Sequence, residues 1–145
     1  DAISQVTETE NKFPGLPLGA RAVQIADGST STYFLSTFGR AKRETVCSCQ
    51  VKMEPNLSQA LHLINGETTN QRIVDGKVVE TQLAADVGPR DIVEDLYLRC
   101  FSRRPTDVEW VAMEPVLSGE PDAVRVQLED LFWALLNAKE FIFTH

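Results

Sequence analysis

Apolar side chains recur with helical spacing along the chain from about residue 56 onward. The first stripe has the i, i+3, i+4, i+7 spacing of an amphipathic helix and consists of Leu57, Ala60, Leu61 and Ile64. Asn56 is a favourable N-cap ahead of this stripe, and Gly66 is a residue type that often ends a helix. The pattern therefore predicts a helix from about Asn56 to Gly66.

Two further helices are predicted between residues 89 and 115. Proline suits the first position of a helix, so Pro89 opens the first of them. Its two apolar rows consist of Ile92, Leu96 and Cys100, and of Val93, Tyr97 and Phe101. Thr106 and Glu109 have the spacing of a capping box for the second helix. That helix should kink or end near Pro115, because proline has no backbone N–H to donate.

The last predicted helix carries the strongest pattern. Its apolar face consists of Val124, Leu128, Leu131, Phe132, Leu135 and Leu136. We expect Lys139 in its final turn, where a cation interacts favourably with the helix dipole. Phe141 and Phe143 follow, and we expect both rings to fold back onto the core.

Residues 72–79 fit two different structures. Asp75-Gly76 has the sequence of a type I′ turn, which would join two strands in a hairpin. Two short helices broken at Gly76 fit the same residues. Helical signals on both sides, including Thr68 and Gln71 in capping register, favour the helices.

The first 20 residues read as an extended arm or linker, because the stretch Phe13–Gly19 alternates turn formers with apolar residues. Residues 21–25 allow a short strand, and Asp27-Gly28-Ser29 is a turn signal. We therefore predict a mainly α protein. A compact helical bundle would span residues 21–145, preceded by an irregular N-terminal arm, with room for one short strand or hairpin.

Composition excludes some function classes. The 145 residues fit one domain, and 43% hydrophobic with 24% charged residues is an ordinary globular composition. The net charge of −7 argues against a nucleic-acid partner, since phosphate backbones select basic surfaces. No apolar run reaches the roughly 20 residues of a membrane span. The chain starts at Asp1 without a methionine, and we expect it to be a piece of a longer protein.

The cysteines leave several possibilities open. There are three of them, Cys47, Cys49 and Cys100, and an odd number argues against a complete internal disulfide framework. We favour structural cysteines. A disulfide between Cys100 and one of the other two, or a metal or thiol-redox site, stays open. Cys100 lies on the apolar face of its helix, as a small core residue does. We assign no metal, because a Cys-x-Cys pair needs further ligands.

Charged and polar residues flank the cysteine pair and supply weak candidates for a catalytic site. These candidates are Arg40, Arg43, Glu44, Glu54, His62 and Asn65. A structural role, with an Arg–Glu pair holding a loop, is the favoured interpretation. A catalytic role requires these side chains to converge with Cys47 and Cys49 on one concave surface. The sequence contains no phosphate-binding glycine loop and no Gly-x-Ser-x-Gly elbow, so enzyme activity is left open.

Four blocks of sequence stand out from a generic helical pattern. They are Phe34–Arg40 (FLSTFGR), Arg43–Cys49 (RETVCSC), Glu54–Gly66 (EPNLSQALHLING) and Glu129–His145 (EDLFWALLNAKEFIFTH). Together they resemble the C-terminal region of the domain of unknown function family 1553, which is abundant in planctomycetes and related bacteria. They occur in the family's order, and the resemblance covers about residues 18–145.

The resemblance implies the last part of a long exported bacterial protein, in an extracytoplasmic (periplasmic or cell-surface) setting. Many family members begin with a planctomycete-type cytochrome c domain, so a c-type haem would belong upstream, with no cofactor in this piece. The implied partners are the upstream domains of the same protein. We expect a structural or interaction module without catalysis of its own. The alternative is that it contributes residues to an extracytoplasmic haem-associated redox or polysaccharide-degrading enzyme.

Overall fold

A computed structural model describes residues 1–26, 32–38, 67–117 and 119–144. Across these ranges the chain is mainly helical and has no β-strand, which confirms the predicted fold class. The α-helices are α1 (Ala2–Val6), α2 (Tyr33–Thr37), α3 (Glu67–Gly76), α4 (Val78–Ala84), α5 (Pro89–Phe101), α6 (Asp107–Met113), α7 (Pro121–Leu136) and α8 (Lys139–Thr144), and 3-10 turns cover Ala22–Gln24 and Glu114–Leu117. The helix predicted over Asn56–Gly66 lies outside the described residues.

The chain divides into two compact units. One consists of Asp1 and residues 10–68, and the other of residues 2–9 and 69–145. Residues 1–20 were expected to form an extended arm, but they include helix α1. The predicted domain boundary at residues 20–21 stays a prediction.

The strand allowed for residues 21–25 is wrong, since Ala22–Gln24 forms a 3-10 turn in the first unit. The Gln24 backbone N–H donates to the Arg21 carbonyl at 2.9 Å, and the Arg21 N–H donates to Gln24 Oε1 at 2.7 Å. The Ala22 N–H donates to Asp1 Oδ1 at 2.6 Å. These bonds to nearby side chains offer the backbone an alternative to strand pairing.

Residues 72–79 form helices, as favoured, and not a hairpin. Helix α3 ends at Gly76 and α4 begins at Val78. Lys77 between them takes the left-handed conformation, with φ +52°. Val78 and Val79 are buried in the core of the second unit, and this burial favours the helical arrangement.

The core of the second unit is built around α5 and α7, which pack against each other. Helix α4 contacts both of these helices, and so does α8. The fully buried side chains of α5 and α7 are Ile92, Val93, Leu96, Cys100, Leu128, Phe132 and Leu136. They belong to the apolar rows that the spacing predicted for the two helices, so this part of the pattern is confirmed.

Several predicted helix ends are also confirmed. Pro89 lies in the first turn of α5. Thr106 and Glu109 form both hydrogen bonds of a capping box at the start of α6. Helix α6 ends at Met113, and Pro115 falls in the 3-10 turn that follows.

The predicted end of the last helix is wrong. Helix α7 stops at Leu136, and Lys139 begins a separate helix, α8. Both the backbone N–H and the side-chain amide of Asn137 donate to the Trp133 carbonyl, at 3.1 and 2.8 Å. Such local bonding from an Asn side chain competes with continuation of a helix. In α8, Phe141 is buried as expected, but Phe143 is 75% exposed.

The residue that ends α5 gives a first testable prediction. Ser102 has φ +56°, a left-handed conformation that favours glycine. We expect Ser102→Gly to raise the free energy of unfolding by about 0.5–1 kcal/mol, because it removes the steric cost of Cβ at this position. Urea denaturation measures the change. Ser102→Ala keeps a Cβ and should bring no such gain, and an equal gain from both variants would contradict the explanation.

Candidate functional site

The catalytic candidates named from the sequence lie outside the described residues. They are Arg40, Arg43, Glu44, Glu54, His62 and Asn65, and the same holds for the cysteine pair Cys47 and Cys49. Their convergence on one surface therefore stays a prediction.

Cys100 is the one cysteine within the described ranges, and it lies in the core. Its side chain on α5 is fully buried. Burial raises the pKa of its thiol to about 12, so the thiolate that acts as a nucleophile is disfavoured at neutral pH. The environment is that of a structural residue, as its place on the apolar face predicted.

The described residues bring together a different charged group, which we call the Arg103 cluster. It consists of Arg103, Glu109 and Glu140 with the rings of Tyr97 and Phe101. Arg103 follows the end of α5, Glu109 lies in the first turn of α6, and Glu140 lies in the first turn of α8. The cluster therefore joins three helices of the second unit.

Arg103 bonds both carboxylates in a bidentate manner. Its Nε and Nη2 donate to the two oxygens of Glu140 at 2.7 and 2.8 Å. Its Nη1 and Nη2 donate to the two oxygens of Glu109, both at 2.9 Å. Paired parallel bonds of this kind are stronger and more directional than single ion pairs.

The capping box of α6 sets the position of Glu109. Glu109 Oε2 accepts from the Thr106 backbone N–H at 2.7 Å and from the Thr106 hydroxyl at 2.8 Å. The same oxygen also accepts from Arg103. One carboxylate thus caps its own helix and anchors the end of the preceding one.

Electrostatics within the cluster stabilise the charged forms. Hydrogen bonds from Arg103 lower the pKa of Glu109 to about 2 and also lower the pKa of Glu140. Hydrogen bonds to Glu140 and Glu109 raise the pKa of Arg103. Burial, and then the charge of Glu109, raise the pKa of Tyr97. All three ion-pairing groups are therefore charged at neutral pH.

Two aromatic rings lie beside the guanidinium group. The Arg103 Cζ atom is 5.5 Å from the centre of the Tyr97 ring and 5.3 Å from that of Phe101. The two rings contact each other edge to face, 5.5 Å apart between centres. These distances allow cation–π attraction.

Arg103 has no N–H donor left for a ligand. A guanidinium group carries five N–H donors. Arg103 makes five hydrogen bonds, four to the carboxylates and one from Nη1 to the Arg104 carbonyl at 3.1 Å. Binding an anion at Arg103 would require breaking bonds that join helices. The arrangement holds α5, α6 and α8 together.

No family model, curated protein or solved structure matches the chain. Among the residues that the structure describes, no group of His, Cys, Asp or Glu side chains could hold a metal ion. Over the same ranges, every helix is too short or too polar to cross a bilayer.

Sequence reasoning missed the Arg103 cluster, although part of its signal was present. The capping box identified Glu109, and Arg103 lies six residues before it. Glu140, however, is 37 residues from Arg103, and no local pattern indicates that pairing. The pairing of Arg103 with Glu140 becomes visible only when the structure brings the start of α8 and the start of α6 to the same arginine.

Proposed function

We propose that this chain is a structural and interaction module at the end of a larger exported bacterial protein, without catalysis of its own. The proposal joins the resemblance to family 1553 with one structural observation. Arg103, at the centre of a charged cluster in the described residues, uses four of its donor bonds on carboxylates of two other helices and the fifth on the Arg104 carbonyl. Its partners would be the upstream domains of the same protein, including the haem domain that the resemblance implies.

Cys100 supports the same reading. In an exported redox enzyme, a reactive cysteine needs an accessible thiolate. Cys100 is instead fully buried, with a thiol pKa of about 12. Cys100 and the Arg103 cluster therefore serve packing and helix joining.

The test compares two sets of variants in the longer protein. Arg103→Ala should lower the thermal midpoint, while turnover per folded molecule at low temperature stays within about twofold, because the residue acts on stability alone. Arg40→Ala, Arg43→Ala and His62→Ala should likewise leave turnover within about threefold. Turnover is measured with redox and polysaccharide substrates.

The alternative function makes the opposite prediction. If this chain completes an active site, removing a general acid or a binding group costs about 100-fold or more in turnover, with little change in thermal midpoint. That result for Arg40, Arg43 or His62 would overturn the proposal. Stoichiometric metal in the purified chain, by elemental analysis, would overturn it as well.

A further inference from the structure

Residues 2–9, which we call the N-terminal segment, pack into the same unit as residues 69–145. Val6 and Thr7 are buried, and Ala2 and Ile3 pack against the core of that unit. The segment is a short helix followed by a turn at Glu8, which has φ +56°. The surface on which the segment packs, which we call its seat, is formed by helices that lie more than 60 residues further along the chain, as the hydrogen bonds from Arg72 to the segment show.

The first element of this seat is Gly76, at the end of α3. A Cβ atom at this position would lie 1.7 Å from the Thr7 carbonyl oxygen and 2.9 Å from the Thr7 carbonyl carbon. Both atoms belong to the backbone, so neither can move away as a flexible side chain would. Glycine is therefore required here for space, and the seat has a shape that fits the backbone of the segment.

The second element is Arg72, which donates hydrogen bonds to hydroxyl groups of the segment. Its Nη1 donates to Ser4 Oγ at 2.7 Å and to Thr9 Oγ1 at 2.8 Å. Thr7 Oγ1 donates to the Ile3 carbonyl at 2.7 Å and lies 2.9 Å from Thr9 Oγ1. Because Thr7 uses its proton on Ile3, Thr9 donates to Thr7 while it accepts from Arg72. This chain of bonds uses the hydroxyls at positions 4, 7 and 9.

The third element is Arg99 on α5. It forms an ion pair with Glu8 at the turn of the segment. Asp95, one helical turn earlier, accepts from Arg99 Nε at 2.6 Å and holds the guanidinium in place. The seat thus has three parts. Gly76 leaves space for the backbone of the segment, Arg72 bonds its hydroxyls, and Arg99 pairs with its carboxylate.

We propose that the surface formed by Arg72, Gly76 and Arg99 is a peptide-docking site whose ligand is the chain's own N-terminal segment, and that it binds this segment without a covalent link. The ligand is a short peptide with apolar residues at positions 3 and 6, hydroxyls at 4, 7 and 9, and a carboxylate at 8. This inference deepens the proposed structural role, because it names a segment that the module holds.

The experiment uses the full chain with a specific protease site inserted between Glu10 and Asn11. After cleavage and removal of the released peptide, a fluorescent synthetic peptide of residues 1–10 is added, and its anisotropy is followed. We expect saturable binding, competition by the unlabelled peptide and no binding of a scrambled peptide. Circular dichroism of the cleaved protein monitors its helix content throughout.

Matched glycine variants test the shape of the seat. Gly76→Ala should weaken binding by about tenfold or more, since the added methyl overlaps backbone atoms. Gly119→Ala is the control, because its nearest contact would be 3.7 Å from the new Cβ, and it should bind within about threefold of the parent chain. Changes in the peptide avoid any folding defect of the protein: Val6→Asp and Glu8→Lys peptides should both bind more weakly.

Two results would overturn the inference. One is a cleaved protein that keeps its helix content yet binds the segment no better than the scrambled peptide. The other is loss of helix content when the segment leaves, which would make residues 2–9 an inseparable part of the core. Neither result bears on turnover in the longer protein, so a failure here is distinct from a failure of the proposed function.

Discussion

Phe132→Ala should lower the free energy of unfolding of the second unit by about 3–5 kcal/mol, the range for truncating a fully buried phenylalanine. Phe132 has no exposed surface and lies in the C-terminal half of α7. That helix packs against α4, α5 and α8, so neighbouring side chains have little freedom to fill the space left by the ring. Urea denaturation followed by circular dichroism measures the loss.

The matched control is Phe143→Ala, at a ring that is 75% exposed on α8. Because folding buries little of the surface of this ring, its truncation should change the free energy of unfolding by less than about 0.5 kcal/mol. Similar losses for the two variants would contradict the arrangement of α7 and α8 described above.

Arg103→Ala should lower the free energy of unfolding by about 1–2 kcal/mol at pH 7. The lost interactions are charge-assisted and bidentate, and the change leaves Glu109 and Glu140 facing each other without a cation. The side chains of Arg103 and Glu109 keep 34% and 30% of their surface in water, so solvent screening limits the loss. Arg125→Ala is the control, because it removes an i,i+4 pair with Glu129 and should cost less than about 0.5 kcal/mol.

The pH dependence of the Arg103 effect follows from the lowered pKa values. Glu109 has a pKa of about 2 in the folded chain, against an ordinary 4.5, and the pKa of Glu140 is also lowered. A carboxyl group of this kind stabilises the fold fully above its unfolded pKa, and the contribution is lost as pH falls through the folded value. The stability difference between Arg103→Ala and the parent chain should therefore be constant above about pH 5 and shrink between pH 4.5 and 2. A difference that stays constant down to pH 2 would show that the ion pairs are not its source.

The elements that were predicted correctly are those whose signals are local. Pro89, the Thr106–Glu109 capping box and the apolar rows of α5 and α7 all act within one or two helical turns. The break at Gly76 was also predicted, but the reason for a glycine there was not. The glycine leaves space for the Thr7 backbone, which is 69 positions away along the chain (76 − 7).

The elements that were missed depend on distant partners or on single side chains. Helix α1 has only five residues, too few to be stable alone, and it is held by Arg72 and the core of its unit. The end of α7 depends on a hydrogen bond of the Asn137 side-chain amide, and the spacing of apolar residues does not predict such a bond. For the candidate site, the charged residues near Cys47 and Cys49 remain a prediction, while the Arg103 cluster emerged only from the packing of α8.

The seat of residues 2–9 has a consequence for the order of events during synthesis. These residues leave the ribosome well before the groups that hold them, since Arg72, Gly76 and Arg99 are made more than 60 residues later. Contacts of such long sequence separation form late, because the intervening chain must close a large loop before they can stabilise it. Residues 2–9 of the nascent chain therefore lack these contacts, with Ile3 and Val6 exposed to water, until translation has passed α5.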